Sequence, residues 1–314
     1  MGSNAVKLTV APSNPAGPAR AAGESAGVPL VSATTSPAKR PAQVSDADRR
    51  RAALREKIGT LLVGVALPAI TFAVIIGLWA FIHSELRHDL PAPAQVWDKA
   101  LSIFSHPFYN NGPNDKGIGW QLLYSLGRVM GGFGLAVLVG VPTGLLMGMS
   151  TTFRRAWQPL IQILRPVSPL AWLPIGLLLF KAVNPSAIFV IFITCMWPTL
   201  LNTIAGVQAV PRDYMNVAAV LRLGRFNTLR KIVLPAARPY IITGMRLSLG
   251  IAWMVIVAAE MLTGGIGIGF YVWDEWNNLS VSSIIVAIVV IGLVGMALEA
   301  LMNWVQSRFD YGGQ

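Results

Sequence analysis

Two kinds of residue in this chain could do chemistry. One is a run of cations. Within NVAAVLRLGRFNTLRKIVLPAARP, from Asn216 to Pro239, stand Arg222, Arg225, Arg230, Lys231 and Arg238, with no acid among them. The other is a scatter of single groups: His83, His88, His106, the lone Cys195, and Glu260. The histidines are irregularly spaced, unlike zinc ligands set a few residues apart, so solvated loop histidines describe them better than a metal centre. No Gly-x-x-x-x-Gly-Lys-Ser/Thr loop is present to cradle nucleotide phosphates, and no His-Glu-x-x-His helix. No nucleophile stands at a recognised spacing from a base. Cys195 lies in an apolar segment without a disulfide partner and reads as a small packing residue. Glu260 is a functional candidate because acids inside apolar spans are costly, although one near the end of a span can simply be hydrated. What remains is docking and electrostatics, not covalent catalysis.

The elements that position these residues follow from composition. The 314 residues are 54% hydrophobic and 12% charged, with mean hydropathy +0.57. A soluble domain carries about 25% charged residues, so lipid is the expected solvent. A net charge of +11 would suggest nucleic acid in a polar protein. Here the cations flank apolar segments, where they set orientation instead, and nucleic acid is excluded as the expected partner. Residues 1–50 are rich in Ala, Pro, Ser and Gly and poor in large apolar side chains. Such a segment cannot offset its ordering entropy and is expected to be a disordered tail. It has no apolar core of the signal-peptide kind before Arg49; composition leaves a transit peptide open. Residues 51–314 are then the membrane domain.

A helix needs about 20 apolar residues to cross a bilayer. Six segments qualify, at roughly 58–82, 125–149, 164–181, 186–208, 237–262 and 282–305. The third is interrupted by Pro166, Pro169 and Pro174; prolines are tolerated where neighbouring helices satisfy the freed carbonyls. Arg49, Arg50, Arg51, Arg55 and Lys57 precede the first span, Arg154 and Arg155 follow the second, and the cationic run follows the fourth. The 262–281 loop holds Asp274 and Glu275 but no Lys or Arg. This alternation predicts both termini in the cytoplasm. Gly127 and Gly131, then Gly140, Gly144 and Gly148, recur four apart, as do Gly244, Ser248 and Ala252. Such spacing lets helix backbones approach closely, within one subunit or between two.

The cationic run lies in a loop at about 209–235. Tyr214 to Leu223 suit a short helix with a small-residue face at Ala218 and Ala219, broken by Gly224; a second helical segment then runs to Leu234, before Pro235. Charge bias explains the arginines but not the alanines, which suit docking into a groove on another protein. The stretch resembles the Glu-Ala-Ala loop of ATP-binding-cassette importer permeases. With Leu234 and Pro235 on that motif's Leu-Pro, Asn216, Val217 and Ala218 fall on Glu-Ala-Ala and Arg222 on its Gly. SLGRVMGGFGLAVLVGVPTGLLMG from Ser125, RPVSPLAWLPIGLLLF from Arg165, and AEMLTGGIGIGFYVWDEWNNLSVSSIIVAIVVIGLVG from Ala259 resemble permeases for nitrate, sulfonates and taurine, the last most like the nitrate branch.

The resemblance implies an all-α type I importer transmembrane domain in the plasma membrane of a bacterium. It implies a second copy of the permease, two cytoplasmic ATPase subunits that bind the ATP and Mg, and an external binding protein delivering nitrate, with nitrite as a second substrate. This chain itself would need no cofactor. Bicarbonate, cyanate, sulfonate and taurine stand as alternative cargoes. Asn216, Val217, Ala218, Ala219, Arg222, Gly224, Leu234 and Pro235 would form the ATPase-coupling loop. On the fourth span, Thr199, Asn202 and Thr203 share a helical face, with Thr194 and Trp197 nearer mid-membrane. That face is expected to line the translocation path, with interhelical hydrogen bonding as the alternative. A fixed arginine is not expected in the path, because conduction needs weak binding. A secondary transporter would show repeated spans and buried acids paired with cations, and the sequence displays neither. The expected topology predicts that cysteines at Asn111 and Asn277 react with an impermeant reagent added outside sealed cells, while one at Thr228 does not.

Overall fold

The computed structural model describes residues 46–85, 90–112 and 115–309, with side chains from Val63 to Arg308 within those ranges. Most of the N-terminal tail thus lies outside the described residues, although helix has already begun at Asp46. The chain divides into two units, Met1–Ala66 and Leu67–Gln314. The described part of the first is helical, and every site considered below belongs to the second.

Regular structure among the described residues is helical, the form that satisfies every backbone group within its own segment when lipid offers no partners. In chain order the helices are α1 (Asp46–Glu85), α2 (Pro93–Ser105), α3 (Ile118–Met149), α4 (Thr151–Leu164), α5 (Leu173–Phe180), α6 (Val183–Gln208), α7 (Arg212–Val220), α8 (Arg225–Thr228), α9 (Leu234–Thr263), α10 (Ile268–Asn277) and α11 (Val281–Phe309). A 3₁₀ turn, Pro169–Trp172, leads into α5, and a π-helical segment, Leu229–Val233, leads into α9.

The core is a three-helix seam with α6 at its centre. A Cβ placed on Gly132, Gly140, Gly144 or Gly148 of α3 would meet Ile191, Thr199, Thr203 or Val207 of α6, the last three glycines at 3.2, 2.6 and 2.5 Å. The numbers rise together, so α3 and α6 run parallel. Against α9 they run in opposition: Gly206 meets Tyr240, Gly244 meets Asn202, and the Thr199 and Ser248 hydroxyls lie 2.8 Å apart. Ser248 Oγ also donates to the Cys195 carbonyl at 2.8 Å, and the Cys195 thiol to the Ser248 carbonyl at 3.3 Å. The small-residue rows at Gly140–Gly148 and at Gly244, Ser248 and Ala252 therefore serve packing within one chain. Gly127 lies apart from them, with nothing near its Cβ position.

This register settles the third span. Because α3 and α6 start at the same end of the bundle, residues 150–182 must return across it. They do so as a broken span, not as the single helix expected over 164–181. α4 and the Pro169–Phe180 segment meet at 97°. Pro166 and Pro169 supply the cause, since each lacks the N–H that the helical ladder needs and clashes with the preceding turn. Arg165 sits at the bend, capping α4.

The fifth span departs from expectation at its start. Leu234-Pro235 does not end a helix, because the helical run is continuous from Arg225 to Thr263 over 39 residues. Pro235 stands just after the π-helical segment Leu229–Val233, so the residue without an N–H falls where the regular hydrogen-bond ladder is already interrupted. Thr228 is buried, with its hydroxyl 3.2 Å from the Gly224 carbonyl. A cysteine there would stay silent for packing reasons, so the exposed Asn227 is the sound topological probe.

The seam makes a direct prediction. Gly144→Val must push against Thr203 and should lower the stability of the detergent-solubilised chain by about 1–3 kcal/mol. Gly134→Val, where nothing lies within 4 Å of the Cβ position, should be close to neutral. Thermal unfolding of the two variants side by side measures the difference.

Candidate functional site

Three features carry candidate chemistry. The first is the loop on α7 and α8. Helix α7 ends in a hydrogen-bond pattern that dictates its shape: Leu223 N–H donates to the Ala218 carbonyl at 2.9 Å and Arg222 N–H to the Ala219 carbonyl at 3.0 Å. This is a Schellman end, whose penultimate residue must be left-handed and is usually glycine. Here that residue is Arg222, at φ 48°, the position the importer motif gives to Gly. An L-residue there costs roughly 1–2 kcal/mol. The helix therefore breaks at Arg222, and Gly224 is ordinary extended backbone at φ −62°, ψ 156°, opening α8.

Around that turn the expected coupling residues separate. Asn216, Val217, Ala219, Arg222, Gly224 and Pro235 are exposed, whereas Ala218 is buried within the chain. Close approach by a partner therefore falls to Ala219 alone. Leu234 packs into a cluster with Val233, Ala237 and Ile241, anchoring the loop to α9. Val220 and Phe226 are 81% and 71% exposed, leaving an apolar surface bordered by cations.

The second feature is a pair of cavities beside α6. One, of about 410 Å³, is lined by Thr194, Trp197 and Asn202 together with Arg165 and Trp172. The other, of about 760 Å³, is lined by Arg154, Arg165, Gln158, Gln162 and Gln208. Three of the five residues expected to line the path thus do line one cavity. Thr199 and Thr203 do not: both are fully buried, facing Gly140 and Gly144 of α3, and Thr203 Oγ1 donates to the Thr199 carbonyl at 2.7 Å. Packing accounts for those two. Arg165 borders both cavities, whereas no arginine is expected in the path. The bend at Pro166 brings it there, which linear spacing does not show.

The third feature escaped the sequence. Glu260 is fully buried and ion-paired with Arg128, itself 6% exposed. The carboxylate accepts from Gly269 N–H at 3.0 Å and lies 2.8 and 2.9 Å from Ser125 Oγ. Arg128 also donates from Nε and Nη2 to Asn184 Oδ1, at 2.9 and 2.6 Å. Gln121 Oε1 accepts from Gly267 N–H at 2.6 Å, and Ser125 Oγ from Ile268 N–H at 2.9 Å. The carboxylate thus takes the anion's place at the N-terminus of α10. A Cβ on Gly267 would fall 2.3 Å from Glu260 Cδ, and one on Gly269 2.1 Å from the Val257 carbonyl oxygen, so both glycines are needed for that approach. A buried acid–cation pair therefore exists after all. Bonds to four elements hold it as a clamp, whereas a site that loads and releases a proton needs room to change partners. The signal that could have found it was Arg128 inside a span opposite Glu260. Of the histidines, His106 Nδ1 lies 3.0 Å from Ser105 Oγ, His83 bonds the Leu90 carbonyl, and His88 lies outside the described residues.

The family of binding-protein-dependent transport system inner membrane components matches residues 140–311. A nitrate import permease protein of Synechocystis sp. is 45% identical over 243 residues, covering 77% of this chain and 88% of that protein. The chain belongs to this permease family. A bicarbonate transport system permease protein of Synechococcus elongatus is 42% identical over 248 residues, 78% of the permease described here and 89% of its own length. The methionine ABC transporter solved in inward-facing conformations shares the fold, with TM-score 0.54 at 12% identity over 60% of this chain and 93% of that one. The architecture is that of a type I ABC importer transmembrane domain.

The buried pair can be tested by its asymmetry. Glu260→Ala leaves Arg128 buried and uncompensated and should destabilise the permease by about 3–5 kcal/mol. The double variant Glu260→Leu with Arg128→Met should recover much of that loss. A double-mutant cycle on thermal unfolding in detergent reads the coupling.

Proposed function

We propose that this permease is the membrane-spanning subunit of an ATP-driven nitrate importer, with nitrite as a second cargo. It works as two copies with two ATPase subunits that bind ATP and Mg and a binding protein on the far side. The observation that carries this reading is the α7–α8 surface: exposed, apolar at Val217, Val220 and Phe226, bordered by cations, and continuous from α8 into a span. Likeness to the nitrate import permease supports the cargo. A bicarbonate cargo is the second reading, favoured by the near-equal likeness to the bicarbonate permease; both anions are small, planar and monovalent.

In this reading the cationic loop and both termini face the cytoplasm, in a bacterial plasma membrane. Asn216, Val217, Ala219, Arg222 and Gly224 meet the ATPase, with Leu234 and Pro235 as the base that receives the load. Closure of the ATPases on ATP pushes α7. The run from Arg225 to Thr263 extends on the order of 60 Å at helical rise, so the push reaches the Glu260 clamp at the opposite end. The spans then rock between outward-open and inward-open states. Thr194, Trp197 and Asn202 line the path, and most selection rests with the binding protein.

Two measurements check this. In proteoliposomes holding the full complex, nitrate-loaded binding protein should raise ATP hydrolysis and drive nitrate inward; stimulation by bicarbonate alone would transfer the cargo to the second reading. Ala219→Trp should leave the permease folded in the membrane while abolishing most coupled uptake, because an indole cannot enter a groove shaped for a methyl group. Parent-like transport by Ala219→Trp would move the docking helix elsewhere.

A further inference from the structure

Helix α2 carries two apolar stripes, where a helix on the surface of a soluble domain carries one, facing its core. Val96, Ala100 and Ile103 make the first and pack into the core. Trp97, Leu101 and Phe104 make the second. Each stands one residue on, about 100° further round the helix, and each is at least half exposed. The third face holds Asp98, Ser102 and Ser105, also exposed. With 13 residues the helix is about 20 Å long, too short to cross a hydrocarbon core of about 30 Å. The spans fix its level in the bundle. Trp79 Nε1, near the end of α1, donates to the Pro91 carbonyl at 3.1 Å, and α2 packs against α11. After Ser105 a short loop leads to the start of α3, where Gly119 N–H donates to the Pro107 carbonyl at 2.7 Å and Trp120 Nε1 to the Phe108 carbonyl at 3.0 Å. Helix α2 therefore lies where α1 ends and α3 begins, at the same end of the bundle as the Glu260 clamp.

We propose that α2 is a helix of the membrane–water interface, with Trp97, Leu101 and Phe104 inserted among the lipids and Asp98, Ser102 and Ser105 in water. Three features favour lipid over a protein as the occupant of the second stripe. Tryptophan concentrates where headgroups meet hydrocarbon, and Trp79, Trp97 and Trp120 gather at this level. The stripe adjoins α1, whose span is exposed along almost its whole length, so it continues a surface already given to lipid. It also carries no charge to steer or register a protein partner, and a partner that came and went would leave three large apolar side chains in water between visits. In the orientation proposed above, the leaflet is the outer one. Lipid then holds α2, and through it α11, at a fixed depth beside the clamp. This is independent of which anion is carried and of what drives it.

Cys195 is buried, so single cysteines can be placed in the otherwise unaltered full-length permease, with the parent as labelling control. Leu101→Cys and Ser102→Cys, one from each exposed face, are labelled with an environment-sensitive fluorophore in phosphatidylcholine nanodiscs. The probe at position 101 should lose about half its emission to lipids that carry a nitroxide high on the acyl chain, because interfacial helices lie about 5–10 Å deep. It should also be shielded from aqueous iodide. The probe at position 102 should respond in the opposite sense. Equal iodide quenching at both positions, with no response to nitroxide lipid, overturns the proposal by placing the stripe in water. Shielding of position 101 from iodide and lipid alike overturns it in favour of a second copy of the chain. Shielding that appears only after the binding protein is added overturns it in favour of that partner. Should Leu101→Cys not assemble, Phe104→Cys carries the same readings.

Discussion

Burying an ion pair in a membrane protein takes two charges out of water at a cost of several kcal/mol each, returned only when geometry and hydrogen bonds are complete. Arg128 and Glu260 meet that condition by recruiting the polar groups around them. Gln121 and Ser125 from α3, Asn184 from the first turn of α6, and the amides opening α10 all converge on the pair. The pair therefore fixes four elements relative to one another at one end of the bundle. Its geometry also explains the glycine-rich turn after α9: Gly264 and Gly265 take positive φ to reverse the chain, and Gly267 and Gly269 let its backbone touch the carboxylate.

Away from the clamp the bundle is held differently. Between α3 and α6 the contacts are glycine against threonine, valine or isoleucine, and between α6 and α9 they are glycine against tyrosine or asparagine and serine against threonine and cysteine. Lipid offers no hydrophobic reward for bringing helices together, so close van der Waals approach and short interhelical hydrogen bonds must do it. Such a seam is tight but smooth. A clamp at one end and a smooth seam below it would suit the push proposed above, because motion can be taken up along the seam while the clamped end keeps its register.

The broken third span supplies what the seam cannot, a polar interior. Packing as close as that of α3 on α6 leaves no room for an anion. The proline-driven bend opens space beside α6, and the cationic and amide-bearing residues of α4 fall along it. The cavities and the exposed α7–α8 surface thus come from the two places where helical regularity is broken: the bend at Arg165 and the left-handed turn at Arg222.

Much of this was legible from residue order alone. Apolar length fixed the number of crossings to within the broken one, because hydrocarbon thickness dictates how many residues a helix needs. The glycine rows announced close packing, and the Asn216–Pro239 stretch carried the family likeness even with Arg222 at its glycine position. Spacing could not say which face of α6 each threonine meets. Thr199 and Thr203 were indistinguishable from Asn202 until α3 and α9 were in place, since periodicity orders residues around a helix without naming the neighbours. Nor could it pair Arg128 with Glu260, which are far apart in sequence and bonded only because α3 and α9 cross beside α10. Burial of Ala218 and the role of Arg165 at a bend are likewise tertiary facts. Local composition determines which segments enter the membrane; which side chains then meet depends on how the segments cross, and only the folded chain decides that.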